Sequence, residues 1–226
     1  MKLTQDQIAE IKKFIHSRGF THIEVEMEIL DHVASAVEAK LEVNPHKSTT
    51  KAIREVHTGF GPLGFSVMED EFRKSFRNVY KATVWNVISN YLWRTKAFVT
   101  FASFSLFLII GQKILPFTSQ WQYKGFFYLL GMVVAIVTLL SNRSVIKKWS
   151  KRSLVVSSAS SMVALSFTLF GQGFGIITDA LYLETQSVSV SLFALFSTIT
   201  VLYGFIYSEI INWSFNWTNE RYLKYA

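Results

Sequence analysis

Four apolar blocks, each near the length that crosses a hydrocarbon core, fill the last 130 residues and constrain this chain more than any other feature. They run from Ala97 to Phe117, Trp121 to Ser141, Leu154 to Ile177 and Val188 to Ile211. A helix needs about 20 such residues to span a bilayer. The expected class is therefore all-α: a helical head followed by a four-helix transmembrane bundle.

Composition divides the chain at the same place. Residues 1–96 carry 14 of the 23 Lys and Arg and 12 of the 16 Asp and Glu, a net charge of +2. The remaining residues hold the other +5 of the total +7, close to the ends of the apolar blocks. Basic residues in that position point to anionic lipid and to orientation rather than to nucleic acid. The chain has no cysteine, which excludes disulfides, thiolate metal sites and a cysteine nucleophile.

The connections between the blocks differ in charge. Residues 142–153 contain Arg143, Lys147, Lys148, Lys151 and Arg152, whereas the link between the third and fourth blocks contains Asp179 and Glu184 and no base. Arg73, Lys74, Arg77, Lys81, Arg94 and Lys96 precede the first block. The positive-inside rule then places both termini and the middle loop in the cytoplasm. The opening Met1-Lys2-Leu3-Thr4-Gln5-Asp6-Gln7 lacks an apolar signal region, which gives the same expectation for the head. Trp93, Trp121, Tyr123, Trp149, Trp213 and Trp217 flank the blocks as interfacial anchors do.

In the head, local signals predict short helices. Thr4 and Gln7 form a capping box with Leu3 and Ile8 as its staple, and Gly19 follows the expected end of the first helix. Thr21 and Glu24 predict a second capping box. Behind it Ile23, Met27, Leu30, Ala34, Val37 and Leu41 make an apolar stripe, beside an acidic one of Glu24, Glu28, Asp31, Ser35, Glu38 and Glu42. Asn44-Pro45 ends that helix, Ser48 or Thr49 caps a third, and Gly59 to Gly64 turns the chain. Ser66 and Glu69 cap a fourth, whose Phe72, Phe76, Tyr80, Val87 and Tyr91 share a face opposite Arg73, Lys74, Arg77 and Lys81. The predicted organisation is a cytoplasmic head over 1–65, an amphipathic juxtamembrane helix over 66–96, and a four-span domain over 97–226 with a short cytoplasmic tail.

Few constellations carry chemistry. Gly59-Phe60-Gly61-Pro62-Leu63-Gly64 spells a dinucleotide-loop pattern, but it follows a helix and contains proline. A turn built on Gly59, Gly61, Pro62 and Gly64 is the expectation. Glu28 and His32 stand one helical turn apart near Asp31, yet no second histidine pair has ligand spacing, so no metal is expected. Glu28, Asp31, His32, Glu38 and Glu42 are the candidate protein-binding residues of the head. An acidic longest helix repels phosphate, so direct nucleic-acid binding is not expected.

Within the apolar blocks Lys113, Asp179 and Glu209 all lie near ends, where snorkelling and interfacial pairing suit them better than ion transport. Lys113 is expected to pair with Asp179. The third block is rich in serine and ends in Gly171-Gln172-Gly173-Phe174-Gly175, the composition of a central packing helix. The blocks contain no histidine and no paired carboxylates, so neither an enzyme nor a bound cofactor is expected.

The order of a short helix, an acidic helix containing Glu28-Ile29-Leu30-Asp31-His32, and a small helix ending in Gly59-Phe60-Gly61-Pro62 resembles the amino-terminal module of HAAS and DUF1700-type bacterial membrane proteins. With Leu63-Gly64-Phe65 added, it resembles four-span proteins of the Bacteroidetes. The likeness covers about the first third of the chain. It implies a multi-pass protein of the bacterial inner membrane whose head signals to a cytoplasmic regulator of the PadR-like kind. The sequence thus points to a non-enzymatic regulatory or interaction protein. The alternative is a small transporter or membrane-complex subunit with the third block, including Gln172, lining a path.

Overall fold

The computed structural model describes residues 2–114, 120–161 and 186–223, with side chains for 2–113, 125–161 and 190–222. Every described element is helical. The elements are α1 (Gln5–Ser17), α2 (Ile23–Val43), α3 (Thr49–Gly59), α4 (Ser66–Trp93), α5 (Ala97–Ile114), α6 (Gln120–Ser141), α7 (Arg143–Trp149), α8 with residues 154–161 described, and α9 (Gln186–Thr218), followed by a π-helical turn Asn219–Leu223.

The chain divides into two compact units. One comprises Met1–Lys81, Lys151–Leu154 and Trp217–Ala226, the other Ala82–Ser150 and Val155–Asn216. The division therefore falls inside α4, and the first unit takes two short pieces from the carboxyl-terminal part of the chain as well as the head. Segments far apart in sequence join the head where specific hydrogen bonds hold them.

In the first unit α1, α2 and α3 pack together. The Thr4–Gln7 capping box forms, with the Gln7 amide donating to Thr4 Oγ1 at 3.3 Å and the Thr4 amide to Gln7 Oε1 at 2.8 Å. These bonds satisfy two of the donors a helix start leaves open. Gly19 at φ 92° turns the chain after α1, and Asn44-Pro45 terminates α2. Ile11, Ile15, Ile29, Val33, Val37 and Ala52 are fully enclosed. Each of the isoleucines and valines among them contributes about 1.5–3 kcal/mol relative to exposure. The buried stripe of α2 is Ile29, Leu30, Val33, Val37 and Leu41, while Ile23, Met27 and Ala34 are only half-buried. The stripe is rotated from the sequence expectation because α1 and α3 both pack on α2.

The Gly61-Pro62-Leu63-Gly64 turn delivers Phe65 into an aromatic cluster. Its ring is 1% exposed and meets His57, Phe60, Phe20 and Phe14 with centroids 4.9, 5.3, 5.9 and 6.3 Å away. Glycine at 64 is favoured by its φ of +52°, and a Cβ there would lie 3.2 Å from His57 Nε2, so the imidazole would have to shift.

In the second unit α5, α6 and α9 share a core of Phe107, Phe127, Phe193 and Ala194. At Gly204 the helices α6 and α9 approach so closely that a Cβ would stand 2.7 Å from Val134 Cγ1. Small residues permit such contacts. Among the described residues one helical segment, Val190–Tyr222, is long and apolar enough to cross a membrane, with a mean hydropathy of 1.8. Up to three spans result if Ser66–Trp93 with Ala97–Lys113, bent by 57°, and Gly125–Ser141 with Arg143–Trp149, bent by 63°, each count as one. The third apolar block beyond residue 161, with Gln172 and the Gly171 to Gly175 run, lies outside the described residues, as do Asp179 and its expected pairing with Lys113. The side chains of Trp121 and Tyr123 are also outside them.

Candidate functional site

The expected Thr21–Glu24 capping box does not form. The cap of α2 is His22, with no side-chain hydrogen bond, and the Glu24 carboxylate is committed elsewhere. Glu24 is fully enclosed, as are Ser153 and Thr218. Its Oε1 accepts from Ser153 Oγ and from Thr218 Oγ1, the latter at 2.8 Å, and its Oε2 accepts from the Leu154 amide at 2.9 Å. The two hydroxyls lie 3.2 Å from each other. Residue 154 opens α8, so this carboxylate caps that helix across 130 residues of sequence and meets the positive end of its dipole.

Neighbouring contacts extend the tie. The Ile23 amide donates to the Arg152 carbonyl at 2.8 Å. One turn further along α2, Glu28 Oε1 accepts from Tyr222 OH at 3.3 Å. The Trp217 ring sits among Phe76, Tyr222 and Phe72, at 5.3, 5.7 and 6.5 Å, with the Arg221 guanidinium 4.8 Å over it. One end of α2 is thereby joined to the start of α8, the end of α9 and the aromatic face of α4. A buried carboxylate is unfavourable unless its lone pairs are satisfied, and here a charge-assisted set of three donors does so.

The acidic stripe predicted on α2 thus has divided roles. Glu24 and Glu28 serve the tie, and Glu38 Oε1 accepts from the Leu3 amide at 3.0 Å. Glu26 is 3.0 Å from His16. Asp31, His32, Ser35 and Glu42 are exposed. Arg73, on the basic side of α4, bonds Glu69 at 2.7 Å, so Glu69 serves an ion pair one turn along the helix.

In the turn, Gly61 and Gly64 carry positive φ, Pro62 is exposed, and Gly59 closes α3. Burial and the Arg18 charge hold the adjacent His57 imidazole below the ordinary histidine value. Across the head, the Glu55 carboxyl is held below its ordinary value by the hydrogen bond from Lys47 at 2.8 Å, with Lys40 at 3.4 Å adding to it.

In the second unit, Glu209 Oε2 accepts from Lys96 Nζ at 2.6 Å and from Tyr91 OH at 3.2 Å. Lys96 lies at the α4–α5 break, so this ion pair links the bend to α9. Lys113 is exposed near the end of α5.

Among the described residues, no group of His, Asp and Glu has the arrangement to hold a metal ion. The Ser153–Glu24 pair is a carboxylate and a hydroxyl in contact, and both are fully buried. Its chemistry is that of a structural tie. The partners Ser153, Thr218 and Leu154 were not legible in advance, because separations of 129 and 194 residues leave no local spacing to read. Comparison with protein-family models, with curated proteins and with solved structures gives no match.

Proposed function

We propose that the chain is a four-span protein of a bacterial inner membrane, with both termini cytoplasmic, whose helical head presents a regulated surface to a cytoplasmic protein. The observation that carries this reading is the Glu24 tie, which fixes one end of α2 to the first residues of α8 and the last residues of α9. Leu154 begins the third apolar block, and the fourth lies within α9. A shift in either one is transmitted to α2 through hydrogen bonds that cannot be stretched without leaving a buried charge unsatisfied.

The membrane part of the reading is supported by the outward side chains of the second unit. Phe98, Phe101, Leu106, Ile109, Leu129 and Val137 are each more than half exposed, an apolar exterior suited to lipid rather than water. The orientation rests on the basic 142–153 loop. The signalling part is supported by the exposed Asp31 and His32 and by the resemblance of the Glu28 to Pro62 pattern to HAAS-type modules, which favours a PadR-like regulator as the cytoplasmic protein.

A photo-crosslinking residue at Asp31, in the full-length chain in native membranes, is expected to capture one cytoplasmic protein. Glu24→Ala is expected to change that yield several-fold while the chain stays in the membrane. No adduct from Asp31, Ser35 or Glu42 would overturn the interaction reading, and extraction of the chain by salt alone would overturn the membrane reading.

A further inference from the structure

After α6 the chain turns by 63° into α7. Asn142 holds the bend. It is 3% exposed, and its Nδ2 donates to the Thr138 carbonyl at 2.8 Å and to Ser208 Oγ at 2.9 Å. Its own carbonyl accepts from the Ile146 amide at 3.0 Å, which starts α7. The bend leaves an open concavity lined by Leu140, Arg143, Ser144, Lys147 and Lys148.

Arg143 and Lys147 are four residues apart, as are Ser144 and Lys148, so two adjacent columns of a helix bring three cations and a hydroxyl to one hollow. Among the described residues none of the three cations is in an ion pair. Three like charges on a helix of seven residues repel one another unless an anion is supplied. Apolar surface continues from the hollow. Leu140 is 62% exposed, and Ile136, Val137 and Leu139 of α6 are exposed behind it. At the far end of α7 the Trp149 ring packs on Phe215, with Lys148 Nζ 5.4 Å over it, as suits an indole at a lipid boundary.

We propose that this hollow binds the phosphate headgroup of an anionic phospholipid, with an acyl chain along Leu140 and the exposed side of α6. Arg143 supplies a fork that matches two phosphate oxygens, Lys147 and Lys148 supply point charges, and Ser144 donates a hydroxyl. A free phosphate would use the same cations but gains nothing from Leu140 and the apolar wall, which is why the lipid is the assigned occupant. The inference rests on the membrane reading above.

The test uses the full chain in nanodiscs of phosphatidylcholine alone and of phosphatidylcholine with phosphatidylglycerol, with bound lipid measured by native mass spectrometry. Retention of phosphatidylglycerol over phosphatidylcholine is expected. It should fall about fivefold for each of Arg143→Gln, Lys147→Gln and Lys148→Gln, and about a hundredfold for the three together. The charge-conserving Arg143→Lys, Lys147→Arg, Lys148→Arg chain should retain it. Equal loss on removing the same number of charges at Lys74, Arg77 and Lys81 would overturn the site, since it would mean a diffuse field. Complete displacement by inorganic phosphate, or equal retention of both lipids, would overturn it as well. A chain that enters phosphatidylcholine discs without preferring phosphatidylglycerol refutes this site alone, whereas failure to enter any disc refutes the membrane reading.

Discussion

The two units use polar side chains in opposite ways. In the first, charges cover the outside, with Asp31, Arg73, Lys74, Arg77 and Lys81 exposed, and among the described residues the interior is aliphatic and aromatic apart from the buried Glu24, Glu26, Ser153 and Thr218. In the second, Phe98 and Phe101 are 69% and 68% exposed while Ser197, Ser214, Thr138 and Asn142 are buried. Ser214 and the likewise buried Thr198 bond back to their own helix, Thr198 to the Ala194 carbonyl and Ser214 to the Ile210 carbonyl. Both interiors are packed and both contain phenylalanine. What separates the units is therefore the outward surface, charged on the first and apolar on the second.

If the first unit depends on one satisfied buried charge and the second on close helix approach, different substitutions should break each. The largest effect is expected at Glu24. Glu24→Ala removes the acceptor shared by Ser153 Oγ, Thr218 Oγ1 and the Leu154 amide and should destabilise the first unit by about 3 kcal/mol. Faster tryptic cleavage at Lys151 and Arg152, with the second unit still resistant, would be the signature. Cleavage unchanged from the parent would refute the tie.

A smaller effect belongs to the second unit. Gly204→Val drives a side chain into Val134 and Thr138, with Cβ contacts at 2.7 and 3.0 Å, and should cost about 2 kcal/mol as a lowered Tm in detergent. Gly125→Val, which meets nothing within 4 Å, is the control and should leave Tm unchanged. Equal losses at both glycines would mean that the α6–α9 approach is not what Gly204 provides.

The smallest effect is a pH dependence confined to the first unit. Burial and Arg18 lower the folded His57 value below its ordinary 6.5, so as pH falls the unfolded ring takes up a proton before the folded one. The contribution of the neutral ring to stability is complete above about 6.5. It declines as pH drops from there through the folded value. His57→Gln should flatten that part of the unfolding curve; an identical slope in the variant would remove His57 as its source.

Much of the head was readable from local spacing. The Thr4–Gln7 box, Gly19, Asn44-Pro45 and the glycine-proline turn all act within a few residues, where i, i+3 and i, i+4 geometry leaves a mark in the sequence. The same logic misplaced Glu24. A threonine three residues ahead of a glutamate looks like a cap, but a carboxylate that can satisfy two buried hydroxyls and a distant helix start gains more from them than from one local amide. The two ends of the Glu209 link were likewise invisible, because Lys96 and Glu209 are 113 residues apart.

The amino-acid order by itself determined that the described chain is helical, where most of its head helices stop, and that the segment over Val190–Tyr222 is apolar enough for a bilayer. Only the tertiary structure decided which acidic residues of α2 are buried, which hydroxyls meet Glu24, where Asn142 bends α6 into α7, and that Gly204 lets two helices touch. Backbone periodicity and capping arise between near neighbours and are written locally. Burial of a charge and the meeting of two helix faces depend on which distant segments the folded chain brings together, and no short-range spacing encodes that choice.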